Sequence, residues 1–151
     1  MKSKEKLNLA WLAGFFDGEG CVYLKRDRQR SGNFSYHVRI IFSNTHLPTL
    51  HRVKEILDGE GIISRVFGTS TKWRTRWELR VNATKATRVL EKMLPYLVTK
   101  REQAEIALLS RQYQGVQGIK TRNPNGEVFE KIKQQLSDLK RVEYADKGLI
   151  Q

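Results

Sequence analysis

The nonapeptide Leu12–Gly20 (LAGFFDGEG) places small residues at helical spacing and carries two acidic residues near its end, Asp17 and Glu19. On a helix with about 3.6 residues per turn, Ala10, Gly14 and Gly18 fall close to one line. Larger apolar side chains fall on another side of this helix: Leu9, Leu12 and Phe16. Each helical glycine costs about 1 kcal/mol relative to alanine, so the spacing predicts that a second helix approaches the small-residue face closely. The alternative is an ordinary helix end that terminates in glycine.

A second copy of the acidic tetrapeptide, at Asp58–Gly61, lacks the small-residue face. The larger residues Glu55 and His51 stand where the first copy has glycine and alanine. We therefore interpret the second copy as a helix stop, in which one of its glycines adopts a left-handed conformation before the next strand. Its carboxylates are expected to be solvated.

The charge of the chain is high and unevenly distributed. The 151 residues include 28 Lys and Arg against 16 Asp and Glu, which gives a formal net charge of +12. Between Ile62 and Lys92, eight basic residues accompany only Glu78 and Glu91. Such an excess favours a polyanionic partner. An acidic membrane surface is the competing partner, but the sequence has no long apolar run, no basic helix with an apolar face and no lipidation signal. Nucleic acid is therefore favoured.

Cysteine and histidine do not form a metal-binding pattern. Cys21 is the only cysteine, which excludes an intrachain disulfide and a cysteine-rich zinc site. The histidines His37, His46 and His51 lack the spacing of metal ligands. Because the first residues are polar and carry no apolar secretory core, we expect an intracellular or organelle-encoded protein.

Hydrophobic periodicity predicts a helix, two strands, a helix, two strands and then further helices. The predicted helices cover about residues 7–18, 45–59, 84–94, 100–112 and 127–144, and the strands about 21–25, 36–43, 62–67 and 74–81. Asn44 or Thr45 is predicted to cap the second helix. We expect an α+β fold with an αββαββα core, whose four-stranded antiparallel sheet carries helices on one face. Residues 1–115 are predicted to form the core domain, and 116–151 a loop and helix that pack on it or extend it.

Alternation along the predicted strands leaves one sheet face polar and basic. This open face carries Tyr23, Lys25, His37, Arg39, Arg74, Arg76, Glu78 and Arg80. An antiparallel ribbon with such side chains fits the roughly 12 Å major groove of DNA, where arginine reads guanine. Because Glu78 is the only acid among these arginines, we favour DNA binding over a merely soluble sheet face. Further basic residues complete the predicted DNA-binding set: Arg26, Arg28, Arg30 and Lys72.

The nonapeptide resembles the signature of the LAGLIDADG homing endonuclease family, with Glu19 replacing the second Asp of that name. The element order over residues 7–94 is also similar to the family's, as is the segment 94–97 followed by Lys100. Members with one motif act as homodimers, so the resemblance implies that two chains pair through their motif helices. The implied interface comprises Ala10, Ala13, Gly14, Asp17 and Gly18.

The resemblance further implies Mg²⁺-dependent hydrolysis of both DNA strands at a long pseudo-palindromic site. Glu19 is implied to bind the metal through its side chain and Gly18 through its main-chain carbonyl, and the metal to activate a water and stabilise the leaving 3′ oxygen. Mn²⁺ is expected to substitute, and Ca²⁺ to bind without supporting cleavage. Asp17 is expected to support the end of the helix rather than bind metal.

Two further residues match family positions, and one departs from them. Lys100 resembles the basic residue near the scissile phosphate, although a helix-surface lysine is the alternative. His46 stands where the family often has a polar residue, usually glutamine, in the active-site water network. Leu50 stands where the family has a basic residue one turn later, and His51 or Arg52 would substitute only with a different helix phase.

Two rival functions share this scaffold. An RNA-binding intron maturase would use the same basic surface for intron RNA. A DNA-binding protein without chemistry would explain the charge and the sheet equally well. Retention of Glu19 and Lys100 favours cleavage, because neither rival needs an acid at a crowded dyad.

Overall fold

A computed structural model of the protein describes residues 2–68, 74–114 and 125–141. The helices are α1 Ser3–Glu19, α2 Leu47–Ile56, α3 Ala83–Met93, α4 Arg101–Leu109 and α5 Gly126–Leu139. The strands are β1 Gly20–Arg28, β2 Phe34–Asn44, β3 Ile62–Val66 and β4 Arg76–Asn82. Short 3₁₀ helices follow α3 and α4, at Leu94–Tyr96 and Ser110–Tyr113. The predicted order of elements is confirmed.

The four strands form one antiparallel sheet in the order β1-β2-β4-β3. Gly20 pairs with Phe42, and Asn44 pairs with Trp77. The end of α1, the end of β2 and the start of β4 therefore lie at the same end of the sheet, which we call the acidic end after Glu19. In β1, β2 and β4, alternate residues point into the core: Val22, Leu24, Val38, Ile40, Phe42, Leu79 and Val81.

All five helices contribute buried side chains to one core on a single face of the sheet. Residues from α1, α3 and α4 fill its centre, and α5 adds Phe129, Ile132 and Leu136. The α+β architecture predicted from the sequence is therefore confirmed, with the opposite sheet face left without helices.

Helix α1 places four residues in this core: Leu9, Leu12, Ala13 and Phe16. Ala13, which the family resemblance implies as part of the dimer interface, is fully buried in the core of the single chain. Its position four residues after Leu9 and three before Phe16 puts it on the core stripe of the helix.

The predicted bounds of α2 need correction. His46 is the N-cap residue and makes no side-chain capping bond. Asn44 still belongs to β2, and its Oδ1 accepts a hydrogen bond from the backbone N–H of His46 at 2.8 Å, so neither Asn44 nor Thr45 caps the helix. The helix ends at Ile56 rather than near Gly59. Gly59 and Gly61 have φ of +83° and +93°, which confirms the tetrapeptide at 58–61 as a helix stop.

Helix α5 is tied to the sheet by Glu130. Its Oε1 accepts hydrogen bonds from the Tyr36 hydroxyl at 2.7 Å and from Arg26 at 3.0 Å. The Tyr36 hydrogen bond, with the Arg26 guanidinium beside it, holds the pKa of Glu130 below its ordinary value despite partial burial. Burial raises the pKa of Tyr36. This polar contact fixes α5 against β1 and β2.

We expect Gly20→Ala to destabilise the fold. A Cβ at Gly20 would overlap the ring of Phe16, which is fully buried and packs edge-on against Phe42 with ring centroids 5.2 Å apart. Such overpacking lowers the free energy of unfolding by about 1–3 kcal/mol, measurable by urea denaturation.

Gly14→Ala is the matched control for this substitution. A Cβ at Gly14 meets no atom within 4 Å, so the unassociated subunit should keep its stability or gain up to about 1 kcal/mol of helix propensity. Equal stability of Gly20→Ala and wild type would contradict the packing described for Phe16.

Candidate active site and nucleic-acid interface

Two oxygen donors lie exposed at the last turn of α1. Glu19 is the final helical residue, and its carboxylate makes no hydrogen bond or ion pair with the residues that the structure describes. Gly18 precedes it and is also exposed. Carbonyls in the last turn of a helix lack the usual intrahelical partner. A carboxylate and a main-chain carbonyl are the oxygen ligands that Mg²⁺ prefers, so this donor set fits the predicted ion.

Asp17 connects the end of α1 to the turn before α4. Its Oδ2 accepts the backbone N–H of Val98 at 2.8 Å, and its Oδ1 accepts that of Lys100 at 2.9 Å. Both carboxylate oxygens are therefore used within the chain. This geometry agrees with the expectation that Asp17 supports the helix end. The contact with a second subunit that the resemblance implies for Asp17 stays a prediction.

Lys100 lies beside the same helix end. It is the N-cap residue of α4, and its Nζ donates a hydrogen bond to the main-chain oxygen of Asp17. An ammonium group at a helix C-terminus interacts favourably with the partial negative charge of the exposed carbonyls. Lys100 and Glu19 are thus held at one end of one helix, as a shared site would require.

His46 lies at the acidic end of the sheet without touching Glu19. Its Nδ1 lies 2.7 Å from the Thr49 hydroxyl oxygen, and its side chain is exposed. The topology therefore brings His46 to the same end as Glu19 and Lys100, but no contact joins it to either one within the described parts of the chain.

The departure from the family at Leu50 has a structural reason. Leu50 is fully buried in the core, which fixes the phase of α2. His51 is exposed, and Arg52 bonds Glu55 at 3.1 Å and Asn8 of α1 at 3.4 Å. The structure therefore gives α2 the phase in which Leu50 faces the core.

Sequence reasoning missed two side chains near Lys100. Lys140, just after α5, donates to the Val22 carbonyl oxygen at 2.8 Å and lies 3.4 Å from the Cys21 sulfur. Gln103 carries a buried Oε1 without a hydrogen-bond partner among the described residues. Both line a pocket of about 480 Å³ that also includes Lys100. The position of Lys140 depends on how α5 docks, and no local pattern signals that docking.

The open sheet face carries ordered polar contacts across β1, β2 and β4. Arg39 Nε donates to Asn82 Oδ1 at 2.5 Å, and Arg39 Nη1 to the Tyr23 hydroxyl at 3.3 Å. The guanidinium of Arg39 also lies 5.9 Å from the centre of the Tyr23 ring. Because cross-strand pairs place Tyr23 beside Arg39 and Arg39 beside Asn82, these three side chains form one row across the sheet.

A second acid lies on this face. Asp27 contacts Lys25 at 2.7 Å and His37 at 3.5 Å. The hydrogen bond from Lys25 lowers the pKa of Asp27, and burial lowers the pKa of His37 against the opposing effect of Asp27. The open face therefore carries Asp27 in addition to Glu78, but Asp27 pairs with Lys25 and His37 rather than with an arginine. Glu78 itself pairs with both Arg76 and Arg80.

The remaining predicted DNA contacts are divided between faces. Arg26 lies on the helix-covered side, because it alternates with Lys25 and bonds Glu130 of α5. Arg28 has the same strand parity as Arg26, and Arg30 and Arg74 are exposed beyond the strand ends. Lys72 lies outside the described residues.

The small-residue face of α1 is uncovered in the single chain. Ala10, Gly14 and Gly18 are exposed, and a Cβ on either glycine would meet no atom within 4 Å. Leu7 and Trp11 on the same helix are 68% and 44% exposed. One side of α1 therefore presents both a smooth backbone surface and large apolar side chains to its surroundings.

Residues 2–68, 74–114 and 125–141 contain no group of three or more His, Cys, Asp or Glu side chains that could hold a metal ion. Within the same residues, every helix is too short or too polar to span a lipid bilayer.

Residues 6–94 match the family model of the LAGLIDADG-like domain. The DNA endonuclease I-CvuI of Chlorella vulgaris is 32% identical over 108 residues, which cover 69% of this chain and 63% of that protein. The chain therefore spans less than two thirds of the length of this relative.

Solved structures of I-CvuI share the fold. One was solved in complex with an I-CreI target in the presence of 2 mM Mg, with the DNA not cleaved. It has a TM-score of 0.72 at 22% identity, and the match covers 95% of this chain and 88% of the I-CvuI chain. Another, in complex with its target in the presence of 2 mM Ca, has a TM-score of 0.62 at 20% identity and covers 94% of this chain and 100% of that one.

The two acids of the motif should differ in their effect on stability. Asp17→Ala leaves two backbone N–H groups without an acceptor and is expected to lower the free energy of unfolding by about 1–3 kcal/mol. Glu19→Gln removes no contact made within the described chain and should leave it unchanged within about 0.5 kcal/mol. Urea denaturation of both variants measures this difference, and equal losses would contradict the roles assigned to them.

Proposed function

We propose that this chain, which belongs to the LAGLIDADG homing endonuclease family, is a homodimeric endonuclease that hydrolyses both strands of a long, partly symmetric DNA site. The observation that carries the proposal is that one helix end holds both a lysine and an acid that has no partner among the described residues. Glu19 is exposed there, and Lys100 is bonded to the main chain two residues before it.

Dimerisation through α1 would give the two acids a shared position. The scissile phosphates on opposite strands face each other across a minor groove about 6 Å wide, so one acid from each subunit must lie close to the dyad. Close packing of two small-residue faces allows this, because Gly14 and Gly18 leave no side chain between the backbones. A two-fold protein then matches a nearly palindromic site.

A divalent cation fits the donors at this helix end. The Glu19 carboxylate and the Gly18 carbonyl would hold Mg²⁺. Mn²⁺ would substitute for Mg²⁺, and Ca²⁺ would bind without supporting cleavage. Bound there, the cation would supply charge neutralisation at the phosphate and a lowered pKa for a water. I-CvuI was crystallised with DNA in the presence of Mg and in the presence of Ca, which supports the proposal of a divalent cation.

Lys100 and His46 are proposed to act on the phosphate and its surrounding water. Lys100 donates one ammonium N–H to the Asp17 carbonyl oxygen, which holds the ammonium group at the end of α1. Its two other N–H donors are left for phosphate oxygens. The Nδ1 of His46 is engaged by Thr49, which orients the ring and leaves Nε2 for a water.

The open sheet face is proposed to lie in the major groove of each half-site. Its rows of Arg39 with Tyr23 and of Arg76 with Arg80 supply donors for base edges. The net charge of +12 supports phosphate contacts around them. A DNA-binding protein without chemistry, or an RNA-binding maturase, would explain this surface but would leave Glu19 and Lys100 without a role.

We expect Glu19→Gln to abolish Mg²⁺-dependent cleavage while leaving DNA binding within a few-fold of wild type. The amide keeps the shape of the side chain but loses the charge that holds the cation. Targets are first recovered by selecting cleaved duplexes from a random library with Mg²⁺, and cutting and binding of both proteins are then measured on them. Cleavage at the wild-type rate by Glu19→Gln would remove Glu19 from the site.

We expect Gly14→Leu to lose the dimer and cleavage together. The added side chain has room in the single subunit, so the fold should persist, but it would hold the two helices apart. Sedimentation velocity measures the association state, and circular dichroism checks the fold. A dimeric and active Gly14→Leu protein would exclude packing through the small-residue face.

A further inference from the structure

Three charged residues on the open face of β4 form one hydrogen-bonded unit. Arg76, Glu78 and Arg80 occupy alternate positions and therefore point the same way. Glu78 Oε2 accepts from Arg80 Nε at 3.1 Å and Nη2 at 2.9 Å, and Oε1 accepts from Arg76 Nη2 at 3.3 Å. We call these three residues the β4 triad.

The acid of the β4 triad is the least exposed of the three. The Glu78 side chain is 12% exposed, against 54% for Arg76 and 42% for Arg80. Its cross-strand neighbours on this face are the small residues Ser43 and Ser64, which leave room for both guanidinium groups to lie over it. A carboxylate with so little solvent is costly without charged partners, so Glu78 holds both arginines strongly.

Arg80 is also confined from the sides. Its cross-strand neighbours are Ile41 and Ile62, and these aliphatic side chains flank its stem on the same face. The Arg80 side chain thus has an isoleucine on each neighbouring strand and the Glu78 carboxylate on its own strand. Such confinement reduces the rotamer freedom that would otherwise be lost on binding.

This arrangement does not suit neutralisation of phosphates. An acid between two arginines removes one positive charge from the surface and so reduces the counterion release that drives phosphate binding. It does suit recognition of a base edge, because a guanidinium reads guanine only when its fork is held in the correct orientation. The chemistry of the unit therefore favours base reading.

We propose that Glu78 is a positioning residue that fixes Arg76 and Arg80 for recognition of two guanines in the major groove of each half-site. The inference rests on the DNA-binding part of the proposed function. Arg80 commits Nε and one Nη2 hydrogen to Glu78, which leaves Nη1 and the other Nη2 hydrogen as a free fork for the O6 and N7 acceptors of guanine. Arg76 commits only Nη2.

The strand geometry limits where the two guanines lie. Four residues of a strand span about 13 Å, and successive nucleotides are about 3.4 Å apart along one DNA strand. Because both arginines lean toward Glu78, the two guanines are expected within about four base pairs of each other.

The test is selection of bound duplexes from a randomised library with Ca²⁺, using wild type, Glu78→Gln and Asp27→Asn. Wild type should enrich two guanines per half-site at the expected spacing. Glu78→Gln should lose about tenfold or more of the preference at both positions, while its affinity for random DNA rises and depends more steeply on salt. Asp27→Asn removes a charge from the same face and should raise the affinity for random DNA without changing those two positions.

Single replacements of the arginines test the same inference if Glu78→Gln does not fold, as judged by thermal melting. Arg76→Lys and Arg80→Lys should each lose one of the two guanine preferences, because lysine has no fork to be held by a carboxylate. Retention of both preferences in Glu78→Gln or in both lysine variants overturns the inference.

The failure of this inference is distinguishable from that of the proposed function. Selection of a defined sequence without the paired guanines by wild type would overturn the role of the β4 triad and leave the endonuclease proposal intact. Absence of any duplex binding by wild type would overturn both.

Discussion

Both carboxylate oxygens of Asp17 accept hydrogen bonds from backbone N–H groups in the turn before α4. In the opposite direction, Lys100 Nζ donates a hydrogen bond to the main-chain oxygen of Asp17. This exchange joins two segments more than eighty residues apart in sequence. It fixes where α1 ends, and it brings the only lysine of the proposed site to that end. Glu19, two residues later, is left without a partner among the described residues and is available for chemistry. In the proposed function, Asp17 therefore supports the fold and Glu19 the chemistry, within one short motif.

The two sides of α1 extend that division to the whole helix. Phe16 packs against Phe42 in the core, which anchors the helix on β2 and sets its rotation. The opposite side then has to present Gly14 and Gly18 to the outside, at the cost in helix propensity that glycine carries. A folded subunit in isolation gains nothing from those glycines, because open space surrounds them. In the proposed dimer, a second copy of the helix packs against these glycines.

The strands and the core could be predicted because burial of every second residue is a local property that the sequence displays directly. The same alternation assigns Arg26 to the helix side and Asp27 to the open face. Helical spacing likewise assigns Ala13 to the core, so the positions of all three residues could have been predicted from the sequence. The contacts of Lys140 could not be predicted in this way. They depend on how α5 docks, which involves the long-range bond between Glu130 and Tyr36 and the burial of Phe129, Ile132 and Leu136 rather than any local spacing.

The most direct measurement is a crystal structure of the protein with a selected duplex and Mn²⁺, in which anomalous scattering locates the metal. We expect two α1 helices in contact through their glycines, with manganese bound by the Glu19 carboxylates beside the scissile phosphates. Helices that lie apart, or Glu19 side chains directed into solvent with manganese bound elsewhere, would contradict this expectation.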